Sequence, residues 1–189
     1  LIGVDISESN IRVAREEQAA SFAGKGTSFY AQDYMDFQAS PFDLIISDST
    51  LHNIAAPTEA LFSKIADDLK PGGHLLATMP YPCAYNHLIW AVRRLLLKVR
   101  SSRTDAVIYA ASKLLHGRRF DDEMLKERVF YMYLLPKRYG SPAFQNFLHA
   151  SFGLALIRQS PVPHEGLGQP KHRLYVFVKK REPHKDAAT

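Results

Sequence analysis

Three short apolar runs, separated by helical patterns, constrain the fold of this chain most. Leu1 to Val4, Phe42 to Ser47 ("FDLIIS") and His74 to Met79 ("HLLATM") lack the strict alternation of a half-exposed strand. Such runs read as strands buried on both faces, the pattern of a parallel sheet. The first two end in an acidic residue, Asp5 and Asp48. Helix signals lie between the runs. Ser7 suits an N-cap, and Ile6 and Ile11 stand where a hydrophobic staple would place them. A helix is expected over about Asn10 to Ala23, stopped by Gly24 and Gly26. A shorter β-rich run, Thr27 to Ala31, ends in Gln32-Asp33. Pro57-Thr58 precedes a second helix, in which Leu61, Ile65 and Leu69 recur every four residues before "KPGG" (Lys70 to Gly73) ends it. Strands alternating with helices predict a parallel α/β sheet.

The pattern changes at Tyr81. "NHLIWAVRRLLLKVR", "DAVIYAASKLLH", "DDEMLKERVFYMYLL" and "PAFQNFLHASF" read as helices, punctuated by Pro136 and a turn over Tyr139 to Pro142. Strand character returns in "FGLALIRQS" and "HRLYVFVKKR", joined through Pro161 to Pro170. Two strands with no helix between them predict an antiparallel hairpin. The chain thus divides into an α/β core over 1–80, a helical insertion over 81–151, a hairpin completing the same core over 152–181, and a polar tail over 182–189. Charge follows this division. Residues 1–80 hold five Lys/Arg against eleven Asp/Glu, whereas 81–150 hold twelve against five. A basic segment suits an anionic substrate, a phospholipid surface or nucleic acid, and equally a set of solvated helix faces. With 46% hydrophobic residues among 189, one core is expected. No apolar stretch reaches the ~18 residues of a membrane span. The single cysteine, Cys83, excludes an internal disulfide and fits a reducing, cytoplasmic setting.

In their order, "LIGVDIS", "FYAQDYMDF", "FDLIISDSTLHNI", "LKPGGHLLATMP" and the closing "HRLYVFVKKR" resemble a class I S-adenosylmethionine-dependent methyltransferase. The resemblance covers about residues 1–80 and 152–181. It implies a Rossmann-like, mostly parallel sheet with helices on both faces, and S-adenosyl-L-methionine as cofactor. It implies that Asp5 accepts from both ribose hydroxyls and that Ile6 packs on the adenine. It further implies that Asp33 accepts from the adenine amino group, with Gln32 and Tyr34 on the same edge, and that Ser47, Asp48 and Ser49 lie near the methionine part. The family's glycine-rich loop has no counterpart before Leu1. The family's first strand and helix are therefore expected to be missing, that strand being the one between those of Asp5 and Ser47, and the chain to be a fragment.

Methyl transfer from a sulfonium is an in-line displacement, so positioning and exclusion of water are the main tasks. The insertion follows the third parallel strand at its C-terminal end, where open α/β sheets bind ligands. It is expected to act as a substrate lid. Tyr81, Pro82, Tyr85, Asn86 and His87 begin it, and Arg93, Arg94, Arg118, Arg119, Tyr131, Tyr133, Lys137 and Arg138 are further candidates to shape an acceptor pocket. Tyr131 and Tyr133, two apart on a helix, do not share a face. A hydroxyl acceptor needs a base, and His52 and His87 are the candidates. No metal is expected. The basic stretch from His87 to Arg100 could also lie on a membrane surface and suit a lipid-like acceptor. The expected function is methyl transfer to a small molecule. The alternatives are a nicotinamide-dependent oxidoreductase using Asp5 on its ribose, a non-catalytic methyltransferase-like binding protein, and a nucleic-acid methyltransferase. "SDST" after "FDLIIS" lacks the aromatic-Pro signature that would clamp a flipped base.

Overall fold

A computed structural model describes residues 1–21, 26–118, 122–135, 137, 139–163 and 169–180. Strand β1 (Ile2–Asp5) is joined through helix α1 (Glu8–Ser21) to a parallel neighbour, β2 (Ser28–Ala31). Ser7 caps α1: its Oγ accepts from the Asn10 amide at 3.3 Å, and its carbonyl accepts from the Ile11 amide at 3.2 Å. Arg15 donates to the Phe29 carbonyl at 2.7 Å and ties the helix to β2.

The larger sheet contains β3 (Phe42–Asp48), β4 (Leu69–Pro80), β5 (Leu154–Pro161) and β6 (His172–Lys179), in the order β3-β4-β6-β5. β3 and β4 are parallel, with Asp48 opposite Thr78. β6 is antiparallel to both β4 and β5, which is the expected hairpin. Helix α2 (Thr58–Asp68) lies between β3 and β4 in the chain. The sequence segment after β4 forms α3 (Ala84–Lys98), α4 (Ser102–His116), α5 (Asp122–Tyr131) and α6 (Pro142–Phe152).

The core joins Leu61, Phe62 and Ile65 of α2 to Leu75, Ala77 and Met79 of β4, Leu148 of α6, Leu154 of β5, and Tyr175 and Phe177 of β6. The four-residue spacing in α2 and the every-second-residue spacing in β4 put these side chains on one face each. Phe62 meets Tyr139 and Phe144 edge-on, both at 5.2 Å between ring centroids. α6 belongs to this layer, and Gly153, with φ 66, closes it in the left-handed conformation that a side chain disfavours. Lys179 reaches from β6 to donate to the Ala66 and Leu69 carbonyls at 2.6 and 2.9 Å, a cation at the C-terminus of α2.

Three expectations are corrected. The "LIGV" and "FDLIIS" strands are not buried on both faces: Ile2 is 39% exposed, Leu44 47% and Ile46 67%. Side chains leave a strand through its faces, and these side chains project from faces that no described element covers; among the described residues β1 pairs with β2 and β3 with β4. The hydrophobic staple is absent, because Ile11 is buried while Ile6 is 74% exposed. "KPGG" does not merely end α2: strand structure runs from Leu69, and a register shift against β3 falls between Phe42 and Leu44. Gly72 has φ 84, and a Cβ on Gly73 would lie 3.0 Å from the Phe42 carbonyl oxygen.

Candidate cofactor and acceptor site

Asp5 and Asp33 follow from the pairing of β1 with β2. Asp5 is the last residue of β1, opposite Ala31, and its carbonyl accepts from the Gln32 amide at 2.9 Å. Both carboxylates therefore stand at the C-terminal edge of one parallel pair. Asp5 is half-buried. One oxygen accepts from the Ser7 amide at 2.8 Å, the other from the Asn10 side chain at 3.1 Å. Those bonds fix the carboxylate's orientation, and each oxygen retains a lone pair. Asp33 uses one oxygen on the Met35 amide at 2.9 Å. Ile6 lies exposed beside Asp5, as an apolar platform for an aromatic ring would. Gln32 is exposed. Tyr34 turns elsewhere: its hydroxyl donates to Asp68 at 2.7 Å, and the Lys64 ammonium lies 5.0 Å from its ring centroid. Burial, then the bond to Asp68, pushes the phenol well above its ordinary range. Tyr34 thus braces the β2 loop against α2.

A second cluster forms at the tip of β3. Ser49 follows the strand with φ 55, a left-handed conformation rare for a residue with a side chain. Its amide donates to Thr78 Oγ1 at 2.7 Å, and Asn53 donates to its carbonyl at 3.3 Å. Thr78 in turn donates to the Asp48 carboxylate. The parallel register that sets Asp48 opposite Thr78 makes this knot possible. Sequence reading missed Thr78. The available signal was a hydroxyl inside the otherwise apolar "LLATM". Ser47 is half-buried in the strand.

The third cluster lies just beyond. A short 3₁₀ turn (Leu51–Asn53) buries His52. The His52 ring lies 5.3 Å from that of His172, the first residue of β6, which pairs with Pro80 at the end of β4. Burial first, then His172 and Arg93, lower the His52 pKa to about 3. Arg93 is also buried, and burial disfavours its charge. Lys137 holds the segment over this turn: its amide donates to the His52 carbonyl at 3.1 Å, and its ammonium to the Ile54 carbonyl at 3.0 Å and to that of Ala56.

The other expected acceptor residues divide. Asn86 is fully buried and its side chain is spent on backbone. It donates to the Tyr81 and Lys171 carbonyls at 2.7 and 2.8 Å and accepts from the Lys171 amide at 2.7 Å. It latches α3 to the approach of β6 and has no donor left for a ligand. Tyr81 carries the Arg173 guanidinium 4.4 Å from its ring centroid, and Tyr85 the Lys171 ammonium at 5.3 Å. His87 is exposed and meets Trp90 edge-on at 5.2 Å. Tyr133 is buried and donates to Asp105 at 2.5 Å, which raises its pKa, whereas Tyr131 is 45% exposed. The expectation of one helix carrying both is corrected: α5 ends at Tyr131, and Tyr133 lies in the turn that follows. Arg94 and Arg118 are exposed, and Arg119 and Arg138 lie outside the described residues. While α3 buries Asn86, Trp90 and Arg93, it leaves Leu88, Val92 and Leu95 open, 60, 42 and 62% exposed, and Val99, which follows its last residue, is 52% exposed. Among the described residues no helix is long and apolar enough to cross a membrane.

Comparison with known proteins decides the family. A methyltransferase domain family matches residues 1–128, more than half of the chain. The chain belongs to that methyltransferase domain family. The family assigns S-adenosylmethionine as cofactor to this Rossmann-like domain, and so separates the methyltransferase reading from the nicotinamide alternative. No curated protein matches the sequence. Solved structures agree on the fold. The N-methyltransferase NodS of Bradyrhizobium japonicum matches with TM-score 0.55 and 16% identity, over 96% of this chain and 74% of that one. Magnesium protoporphyrin IX methyltransferase of Synechocystis, with S-adenosylhomocysteine bound, matches with TM-score 0.58 and 15% identity, over 95% of this chain and 63% of its own. The 1,6-didemethyltoxoflavin-N1-methyltransferase of Burkholderia thailandensis matches at 0.55 and 13%, over 95% and 60%. This methyltransferase domain thus spans between about 60 and 74% of those chains.

Proposed function

We propose that this domain transfers a methyl group from S-adenosylmethionine to a small-molecule acceptor with an oxygen, nitrogen or carbon nucleophile, in the cytoplasm. One observation carries the reading: two carboxylates, Asp5 and Asp33, stand at the tips of adjacent parallel strands with acceptor capacity to spare. That donor-free, pre-oriented pair fits the ribose and adenine half of the nucleoside, whose hydroxyls and amino group are donors. Asp5 would hold the ribose, Ile6 would face the adenine, and Asp33 with Gln32 would take its edge. The cofactor, when bound, supplies an electrophilic methyl group on a sulfonium.

What remains for the chain is alignment and dryness. Ser47, Asp48 and Ser49, knotted to Thr78, would border the methionine end. A strong anion pressed against the sulfonium would stabilise the ground state most, and here the Asp48 carboxylate already accepts from Thr78 and Ser49. α3, latched by Asn86, would close the site, with Tyr81 and Tyr85 at its rim. His52 holds a proton poorly, so it is a weak match for a general base near neutral pH. His87 is the remaining candidate where the acceptor must lose a proton. The open apolar stripe of α3, flanked by Arg94, Lys98 and Arg100, supports contact with an anionic lipid surface.

Calorimetric titration with S-adenosylhomocysteine tests the reading. Asp5→Ala should weaken binding by ~2–4 kcal/mol, the loss of a charged double hydrogen bond. Unchanged affinity in that variant refutes the ribose assignment.

A further inference from the structure

Among the described residues, Arg93 is a buried cation without a counter-ion. It lies on the inner face of α3 and is 8% exposed. Among the described residues its hydrogen bond runs from Nη1 to the Leu134 carbonyl at 3.1 Å, and no carboxylate pairs with it. Its Nε is buried with no acceptor. His52, 5% exposed, likewise buries Nδ1 with no partner. The ring of His172 lies 5.3 Å from that of His52. An unpaired buried ion is costly, and buried polar atoms without partners are rare enough in native proteins to need a cause.

Three nitrogen-rich side chains thus arrive from three elements: the 3₁₀ turn after β3, the inner face of α3, and the first residue of β6. His52 and His172 meet at the C-terminal end of β3 and β4, next to the Asp48–Ser49–Thr78 knot, and the Arg93 charge is near enough to act on His52. Nη1 of Arg93 is already committed. The edge formed by Nε and Nη2 is the planar fork that takes a carboxylate in two parallel hydrogen bonds. Charge balance selects the same group. His52 is neutral at physiological pH, so Arg93 supplies the permanent positive charge in this cluster. One negative charge neutralises it, whereas a dianion would leave buried charge of the other sign.

We propose that Arg93, with His52 and His172 beside it, receives a carboxylate carried by the acceptor molecule. The role of the site rests on the methyl-transfer reading, but the binding does not, and this separates the two tests. The whole chain is titrated with benzoate, benzamide and inorganic phosphate, with and without S-adenosylhomocysteine, and followed by calorimetry and thermal midpoint. Benzoate is expected to bind and raise the midpoint, with benzamide and phosphate at least about tenfold weaker. Arg93→Met should lose benzoate affinity about tenfold or more, while its unliganded midpoint stays level or rises, because an uncompensated buried charge has gone. A purely structural arginine would instead lower the midpoint. His52→Leu provides a second variant if Arg93→Met does not fold, and should weaken benzoate severalfold by removing one donor. Equal binding of benzoate and benzamide, phosphate as tight as benzoate, or full benzoate affinity in the variants overturns the proposal. S-adenosylhomocysteine binding without benzoate binding sinks the carboxylate site alone. Benzoate binding without S-adenosylhomocysteine binding sinks the methyl-transfer reading alone.

Discussion

Acidification should destabilise this protein through one side chain, His52. Its imidazole is buried between the 3₁₀ turn and β6, near His172 and Arg93. Burial first, then His172 and Arg93, lower its pKa from 6.5 to about 3. Above pH 6.5 the ring is neutral in both folded and unfolded chains and adds no pH dependence. Below that value the unfolded chain takes up a proton that the native state refuses until about pH 3. Stability contributed by neutral His52 is therefore present above pH 6.5 and is lost as pH falls toward 3. Each pH unit crossed removes about 1 kcal/mol, so the whole window removes a few kcal/mol. A domain of this size holds roughly 5–15 kcal/mol in total, so the loss is easily measured. Urea denaturation between about pH 4 and 7 should show a steeper decline for the native sequence than for His52→Gln, which has no group to titrate there. Carboxylates and the histidines remote from His52 are common to both proteins and cancel in the difference, and a His52→Gln, His172→Gln double variant removes the coupled partner as well. Parallel stability curves would refute the reasoning: His52 would then accept its proton in the folded state, with water or motion relieving the burial.

Other perturbations have defined outcomes. Ser49→Gly should change stability by less than about 1 kcal/mol in thermal denaturation, because relief of the strain at φ 55 is offset by the lost Oγ bonds and by the freer unfolded glycine; a loss above about 2 kcal/mol would show that the Oγ bonds outweigh the strain. Asn86→Ala should lower stability by about 2–3 kcal/mol, since the Lys171 amide and two carbonyls lose partners in a buried place. Increased protease sensitivity within α3 would show that the latch, rather than the core, has opened. Leu95→Glu should reduce co-sedimentation with vesicles containing anionic phosphatidylglycerol, and the wild-type protein should leave purely zwitterionic vesicles in solution. Equal binding of both proteins to both vesicles would remove the role of the α3 stripe.

Element type and order were legible in the sequence because each signal is local. Apolar runs ending in Asp5 and Asp48, the cap at Ser7, and the four-residue period of Leu61 and Ile65 report backbone preferences that survive in almost any packing. The same residues carried the family. Burial was not legible, because it belongs to neighbours. Ile46 has the side chain of a doubly covered strand yet is 67% exposed on a face that no described element covers.

The candidate site splits in the same way. Asp5 and Asp33 could be placed from the sequence, since a residue that ends a strand, or follows it by two, lies near its tip wherever the strand goes. Thr78, Asn86 and Arg93 could not. Their roles come from a parallel register, a backbone approach across 85 positions and an unpaired inner helix face. Local chemistry therefore determined which strands and helices form and which carboxylates end them. Tertiary packing alone decided which polar groups are spent on the fold and which are left for a ligand, because desolvation and hydrogen-bond partnership depend on residues far away in the chain.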